Sequence, residues 1–194
     1  MKKIIIVMLL TSVAIMGASA QKLSGTLAPL IDQKEVNIVI EFSGTLVDGK
    51  TEQKYINDEL KKRKAADKEK WLIEWHDNLQ QSVYSMLIRE LNKTLSQNLF
   101  IVDVIPEAPY TIYVKVKEIK TGFYSSAKAI PSEVTAEIFF VKTGEEAPFA
   151  TIEYKQVSSK ESVNVPHFVA RIATSFGMLG GSIGKIINQK LKKK

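Results

Sequence analysis

A glycine-rich run near the end of the chain has the composition of a phosphate-binding loop. It extends from Gly177 to Lys185, GMLGGSIGK, and holds four glycines ahead of a lysine. A phosphate loop places its glycines between a strand and a helix, so that unpaired backbone N–H groups face the phosphate. The GxxxxGK spacing needs glycine where this chain has Leu179, and Ile186 follows the lysine in place of Ser or Thr. The run is therefore not predicted to bind a nucleotide.

These glycines fall instead within a predicted helix. Gly177, Gly181 and Gly184 lie on one helical flank, with Gly180 beside them. Each glycine costs a helix about 1 kcal/mol relative to alanine, so four of them indicate a kink, a break near Gly180 and Gly181, or a close contact. Close packing against the sheet, another helix or a partner is the favoured interpretation. We therefore include Gly177, Gly181 and Gly184 among the candidate partner-binding residues.

Residue types that carry catalysis are few. The chain has no cysteine and two histidines, His76 and His167, so a zinc site would need distant carboxylates. Glu74 and Asp77 flank His76, but at helical spacing these three side chains do not share one direction. A solvated or interfacial histidine is the favoured interpretation of His76. The adjacent carboxylates Glu145–Glu146 fall in a turn, where a solvated charge cluster is typical. No catalytic, cofactor-binding or metal-binding residue is predicted.

Aromatic and apolar residues suggest interactions. Trp71 and Trp75 are one helical turn apart, with Trp75 on the apolar stripe and Trp71 at its edge. Two aromatics at this spacing favour core packing over a ligand platform. Phe123, Tyr124 and Ile130 lie in a long loop, where they are harder to bury and would form an exposed apolar patch. Trp71 and the three loop residues join the glycines as candidate partner-binding residues.

Hydrophobic periodicity predicts the elements that position these residues. Apolar residues recur at intervals of three and four in two segments, which predicts helices at about 66–97 and 166–190. A charged segment, 51–64, is compatible with a short helix. Alternating or continuous apolar runs predict five strands, at 36–43, 99–105, 110–117, 133–141 and 149–157.

This order of elements predicts an α+β fold, a two-layer sandwich with a mixed five-stranded sheet and both long helices on one face. The first strand, first long helix and second strand form a right-handed βαβ unit, so those two strands should be parallel. The last three strands should form an antiparallel meander. The second strand, LFIVDVI, should be buried on both faces. Residues 21–194 are predicted to form a single domain with a basic carboxy-terminal tail.

The first twenty residues have the pattern of a secretory signal peptide. Lys2 and Lys3 precede the apolar run 4–16, which is too short to span a bilayer core that needs about 20 residues. Ala18 and Ala20 supply the small side chains of a cleavage site, so cleavage after Ala20 is predicted. An uncleaved amino-terminal anchor is the alternative. The lack of cysteine excludes a lipoprotein modification at this site, and export to the periplasm or outer membrane is expected.

The positive charge is concentrated in the tail. The formal net charge is +6, and five lysines occupy the last ten positions. A basic tail on an exported protein argues against a nucleic-acid-binding face. Lys192, Lys193 and Lys194 would permit a weak peripheral contact with an anionic membrane, although such a tail is more often simply solvated. Lipid binding by the last helix is therefore a third possible function.

Several segments together resemble a group of secreted proteins from Bacteroidota with no assigned activity. They are ASA before Gln21, KYI, the Trp71 and Trp75 pair, YTIYVKVKEIKTGF, and HFVARIATSFGMLGGSIGKIIN. The order of elements is also similar to the amino-terminal domain of the envelope protein TolB and to related periplasmic α+β modules. That likeness implies a binding or assembly role and transfers no functional residue.

The leading hypothesis is a non-enzymatic envelope protein that binds another protein or an envelope component. The 121–131 loop, the glycine-containing helix and an exposed sheet edge are the candidate surfaces. The alternative is a secreted hydrolase acting on an envelope or dietary polymer. A hydrolase should have a deep pocket with convergent carboxylates or His76, whereas a binding module should have an exposed apolar patch or an open edge strand.

Overall fold

The computed structural model describes residues 22–96, 99–158 and 164–191. The predicted signal peptide and its cleavage site after Ala20 lie outside the described residues, as do Lys192, Lys193 and Lys194. The described chain is a mixed α+β structure whose main sheet contains both parallel and antiparallel strands. This class agrees with the sequence prediction.

The main sheet has eight strands, where the sequence predicted five. Three additional strands of two or three residues account for the difference, since such segments are too short to show a periodicity. A separate two-stranded sheet comprises β7 (Phe123–Tyr124) and β8 (Ala129–Ile130). The strands of the main sheet are β1 (Leu23–Gly25), β2 (Glu35–Glu41), β3 (Leu46–Val47), β4 (Lys50–Thr51), β5 (Ile101–Asp103), β6 (Tyr110–Lys120), β9 (Glu133–Lys142) and β10 (Pro148–Ser158). Six of them run in the order β1-β10-β9-β6-β2-β5, and β3 and β4 form a small hairpin beside β6.

The predicted strand directions are confirmed. Strand β2 is parallel to β5, as the βαβ unit requires, and it is also parallel to β6 on its other side. Strands β6, β9 and β10 form the antiparallel meander. Strand β1, within a segment where no strand was predicted, pairs antiparallel with β10 from Leu23 opposite Ile152.

The prediction for 99–105 was wrong in extent and in burial. Only Ile101–Asp103 pairs as a strand, and β5 lies at the edge of the sheet beside β2. Val102 faces the core, whereas Ile101 is 62% exposed. A continuous apolar run is typical of a parallel strand with neighbours on both sides, but here that position belongs to β2, which lies between β5 and β6.

Three helical regions cover the segments in which helices were predicted. The charged segment forms α1 (Glu52–Lys61), whose first turn is capped by the Thr51 hydroxyl accepting from the Lys54 amide. The first long helix is α2 (Ala65–Ile73) and α3 (Leu79–Thr94), joined by a π-helical turn (Glu74–Asn78). The last helix is α4 (Phe168–Leu191), which continues through the glycines without a break.

One hydrophobic core joins the sheet to the long helices. The strands supply alternate side chains, and the helices supply the apolar stripes that the sequence predicted. The phenol oxygen of Tyr154 is the one buried side-chain polar atom that finds no hydrogen-bond partner in the part of the chain described. Representative core residues with no exposed surface are Val36, Ile38, Ile112, Val114, Ile138, Phe140, Val83, Leu87, Leu91, Phe176, Leu179 and Ile183.

The glycines of α4 allow a close contact with α3. A Cβ atom at Gly180 would lie 2.2 Å from the Leu87 carbonyl oxygen, and one at Gly184 would lie 3.0 Å from the Leu91 carbonyl oxygen. The contacts advance in the same direction along both helices, so α3 and α4 pack parallel. Only glycine permits the backbones to approach this closely, which confirms close packing as the reason for the run.

Side chains of α3 close one edge of the main sheet. The Tyr84 hydroxyl accepts from the Ile40 amide at 2.9 Å and donates to the Ile40 carbonyl at 3.3 Å, beyond the point where β5 pairs with β2. The Asn92 side chain binds edge strand β5 in the same way. It donates to the Val102 carbonyl at 2.7 Å and accepts from the Val102 amide at 2.9 Å. These contacts occupy backbone groups that an added strand would need, so this edge is protected from pairing.

We expect Asn92→Asp to destabilise the protein by about 1–3 kcal/mol at neutral pH. A carboxylate keeps the acceptor for the Val102 amide but sets an oxygen against the Val102 carbonyl. The ionised form is disfavoured in the folded state, so the pKa of the introduced carboxyl should rise. The penalty should then shrink as the pH falls from this raised pKa towards about 4, the ordinary aspartate value, because a protonated carboxyl can donate. Urea unfolding of both proteins between about pH 3 and pH 7 measures this.

The matched control is Asn57→Asp, at an exposed position where the side-chain oxygen only accepts a hydrogen bond, from Gln53. That variant should stay within about 0.5 kcal/mol of the parent. An equal loss in the two variants, with the same pH dependence, would contradict the role given to Asn92 at this edge.

Candidate functional site

The candidate site is built on a tight turn between β3 and β4. Asp48 and Gly49 both have positive φ angles, 48° and 71°, as a two-residue hairpin turn requires. This turn directs the Asp48 carboxylate towards the end of β6. The carboxylate accepts hydrogen bonds from the Thr121 amide at 3.0 Å and from the Thr121 hydroxyl at 2.8 Å.

A buried arginine binds the carbonyl side of Thr121, the residue whose amide is bound by Asp48. Arg171 donates from Nε to the Thr121 carbonyl at 2.9 Å, and from its guanidinium to the Val165 and Pro166 carbonyls at 2.8 and 3.0 Å. Burial lowers the pKa of Arg171, while Tyr55 and Asp48 act in the opposite direction. Arginine remains protonated at any ordinary pH, so its charge strengthens these hydrogen bonds. Thr121 is thus fixed by a carboxylate on its amide side and by a guanidinium on its carbonyl side.

A glycine then starts a protruding hairpin. Gly122 has a φ of 68°, and a Cβ atom there would lie 2.5 Å from the Ile130 carbonyl oxygen, so only glycine fits. Strands β7 and β8 pair Phe123 with Ile130 and Tyr124 with Ala129. At the tip, the Ser125 amide donates to the Lys128 carbonyl at 2.8 Å, which closes the turn. The 121–131 loop predicted from sequence is therefore an ordered hairpin with a fixed base.

Three large apolar side chains project from this hairpin. Phe123 is 52% exposed, Ile130 is 42% exposed and Tyr124 is 40% exposed. Phe123 and Ile130 are direct cross-strand partners and share one face of the hairpin, whereas Tyr124 lies on the opposite face. We call these three residues the hairpin surface. Exposed apolar side chains held on a rigid base are typical of interaction sites.

A polar rim adjoins the Phe123 and Ile130 face. A shallow depression of about 390 Å³ lies between the hairpin and the end of the main sheet. Lys120 and Glu133 form an ion pair of 2.8 Å at its border, and Asp48 also lines it. An apolar centre with a charged border is the usual composition of a protein-protein contact area.

Trp71 does not contribute to the hairpin surface. It is 5% exposed and stacks on Trp75, with ring centroids 5.6 Å apart. Phe168 of α4 stacks on both rings, and the Arg63 guanidinium covers Trp71 at 4.5 Å from the ring centroid. The two tryptophans are core residues, which the sequence spacing favoured.

The candidate glycines also lie against the molecule's own helix. Gly177 and Gly184 are buried by α3, and Gly181 is half-buried with its nearest contact at the Thr94 hydroxyl. This flank of α4 is therefore occupied by an internal contact and not open to a partner. Of the surfaces considered from sequence, the hairpin surface is the one whose candidate residues are exposed.

His76 lies in a cleft of about 260 Å³, which the sequence did not predict. The flanking Glu74 is instead 3.6 Å from His167, so it belongs to a different contact. The carboxylate that shares the cleft with His76 is Glu52 of α1, which accepts from the Trp75 indole N–H at 2.9 Å. The cleft is lined by Phe42, Thr45, Val47, Glu52, Trp75, His76, Leu79, Gln80 and Ile119.

Two further features concern membranes and metals. No helix within residues 22–96, 99–158 and 164–191 is long and apolar enough to cross a membrane. Across the same ranges, no three side chains of the His, Asp and Glu types come together as a metal site would require.

No protein-family model matches the sequence, and comparisons with curated proteins and with solved structures yield no match. The proposed function therefore rests on the geometry of this chain.

The sequence analysis did not identify two residues of the candidate site, Asp48 and Arg171. Arg171 interrupts the apolar face of the last helix beside Ile172, and a lone arginine in that position was the available signal. The Asp48-Gly49 pair is a recognised hairpin-turn signal.

Proposed function

We propose that this protein is an exported, non-enzymatic envelope protein that binds a protein partner through the hairpin surface. The observation that carries the proposal is the set of exposed Phe123, Tyr124 and Ile130 side chains on a base fixed by Asp48 and Arg171. A rigid apolar projection loses little conformational entropy on binding, which favours affinity.

A protein partner fits this surface better than a lipid bilayer. The apolar centre is bordered by an ion pair and by Asp48, so its border carries both signs of charge and lacks the basic cluster that anionic headgroups attract. Lys128 is the basic residue of the hairpin tip. A membrane-binding loop would instead join its apolar tip to a basic border. Contact of Lys192, Lys193 and Lys194 with an anionic membrane remains a separate prediction.

The hydrolase alternative has weaker support. Hydrolysis of a glycosidic bond needs two carboxyl groups on either side of the scissile bond, and acyl transfer needs a nucleophile beside a base. Glu52 is the acidic residue that lines the cleft containing His76, and its Oε1 atom is held by Trp75. This arrangement favours binding of a ligand over its hydrolysis.

The envelope location rests on the sequence. The 1–20 segment has the charge, length and small-residue pattern of a signal peptide. An assembly role is proposed by analogy, from the similarity of the predicted order of elements to that of TolB and related periplasmic modules. A two-layer arrangement, with the long helices on one face of the sheet, would leave the hairpin projecting from the end of the sheet. Intact mass of the protein recovered from the periplasmic fraction tests the processing site at Gln21.

Photocrosslinking tests the hairpin surface. We expect p-benzoylphenylalanine at position 123 of the full chain to give a discrete crosslinked species in the producing cell, because this side chain lies at the centre of the proposed contact. The same group at Met178, which is 43% exposed on α4, is the control for exposure alone. Ile130→Ser in the position-123 protein should reduce the crosslink at least tenfold, since losing a central apolar side chain costs more than about 1.4 kcal/mol.

The stability of the Ile130→Ser variant separates an effect on binding from an effect on folding. Ile130 is exposed, so Ile130→Ser should leave the thermal unfolding midpoint within about 2 °C of the parent. Equal crosslinking at positions 123 and 178, or a crosslink at 123 that Ile130→Ser does not change, would contradict the proposed surface.

A further inference from the structure

The cleft beside the π-helical turn is a second potential binding site, lined by residues other than those of the hairpin surface and its depression. Its floor is apolar and buried, with Val47, Trp75, Leu79 and Ile119. Its volume of about 260 Å³ is sufficient for a small organic molecule with an apolar body.

The π-helical turn positions one wall of this cleft. The Leu79 amide donates to the Glu74 carbonyl, five residues earlier, so the helix is widened by one residue at this point. Trp75 and His76 lie within the widened turn and both line the cleft. A π-helical turn is a costly irregularity in a helix and is frequently found at functional sites.

The polar groups of the cleft favour a cation. Its border carries the Glu52 carboxylate, and no lysine or arginine is among the residues that line it. Within the described ranges, neither Lys nor Arg forms an ion pair with Glu52, and the Trp75 indole N–H occupies only its Oε1 atom. Phe42 and Trp75 add two aromatic rings to the lining. Trp75 is 4% exposed and its ring stacks on Trp71 and Phe168, so the half-buried Phe42 is the ring available to a ligand. An aromatic ring beside a carboxylate is a surrounding that an ammonium group prefers.

We propose that this cleft binds a small organic cation, an ammonium group attached to an apolar body. The apolar body lies on the Val47, Leu79 and Ile119 floor, and the ammonium group lies between Glu52 and the Phe42 ring. His76 and Gln80 complete the lining of the cleft. The cleft is a ligand site of its own, and its occupation does not require the hairpin surface.

Benzyltrimethylammonium is a suitable probe, because it combines an aromatic body with a quaternary ammonium group. The chain has two tryptophans, so the ¹H–¹⁵N spectrum contains two indole signals. We expect the probe to shift the Trp75 indole signal in a saturable manner, while the Trp71 signal changes little. Neopentylbenzene, the neutral carbon isostere, and phenylacetate should each bind at least tenfold more weakly.

Glu52→Gln is the test of the charge. The amide oxygen can still accept from the Trp75 indole, so the variant keeps the geometry and should weaken the probe about tenfold. Glu74→Gln is the matched control, since Glu74 lies on the same π-helical turn but contacts His167 and does not line the cleft. It should leave the affinity unchanged.

Each other outcome overturns part of the proposal. Equal binding of the probe and its isostere, or an unchanged affinity in Glu52→Gln, would show an apolar site without selectivity for cations. No shift of the Trp75 signal at low-millimolar probe would show that the cleft does not bind this class of ligand. Circular dichroism of both variants confirms that the fold is retained.

Discussion

Alanine at position 180 is expected to destabilise the protein by about 3 kcal/mol or more. The added Cβ atom would lie 2.2 Å from the Leu87 carbonyl oxygen and 3.2 Å from the Leu87 Cα atom. Both are backbone atoms of α3, so relief requires a displacement of one helix relative to the other. A loss of this size removes a large part of the usual stability of a single domain, about 5–15 kcal/mol. Urea unfolding followed by tryptophan fluorescence measures it.

Gly181→Ala provides the comparison within the same run. A Cβ atom there meets only the Thr94 hydroxyl oxygen, at 3.5 Å, which is an ordinary contact. Alanine is the better helix former by about 1 kcal/mol, so this variant should be neutral or slightly more stable. Similar losses for the two alanine variants would show that the run acts through helix flexibility and not through close contact.

Arg171→Ala is expected to cost about 3 kcal/mol and to loosen the hairpin. The change removes a charged donor from the carbonyls of Thr121, Val165 and Pro166. Hydrogen bonds to charged groups contribute about 1.5–3 kcal/mol each, and buried acceptors left without a donor add a penalty. Hydrogen exchange of the 121–131 amides should become faster relative to those of β6 and β9.

Two further substitutions test whether the loss of stability depends on the hydrogen bonds of Arg171 and not merely on removal of an arginine. Arg171→Lys keeps the charge, but a single ammonium group cannot bridge the Thr121 carbonyl and the Val165 and Pro166 carbonyls, so an intermediate loss is expected. Arg89→Ala removes an exposed arginine that pairs with Glu90, and should change stability by less than about 0.5 kcal/mol. If hairpin exchange in Arg171→Ala matches that of the parent, the arginine does not support the hairpin.

Long periodic segments were predictable because their apolar residues repeat over several turns or alternations. Strands β6, β9 and β10 and helices α3 and α4 each bury one face, and that face is visible in the sequence. Strand β1 was missed because three residues carry no period. It is defined by its pairing with β10, which is a non-local property. Strand β2 lies inside the sheet, between β6 and β5, and β5 lies at its edge. This order was likewise decided by pairing and not by hydrophobicity.

The candidate site was predictable only in part. Phe123, Tyr124 and Ile130 stood out as apolar residues in a polar loop, and they are exposed in the structure. The groups that fix the loop come from distant positions, since Asp48 precedes Thr121 by 73 residues and Arg171 follows it by 50. The cleft escaped prediction because its lining from α1, the π-helical turn and the end of β6 is brought together only by the tertiary fold.

The order of the elements along the chain has a consequence for assembly during synthesis. Strand β1 emerges first but has to wait for β10 before it can pair, and the hairpin base lacks its guanidinium until α4 has been added. Early intermediates therefore carry an unpaired strand and a loosely held hairpin, the two features that most invite unwanted association. A truncated or stalled chain that lacks α4 would therefore present Phe123 without the arginine that holds the base of its hairpin.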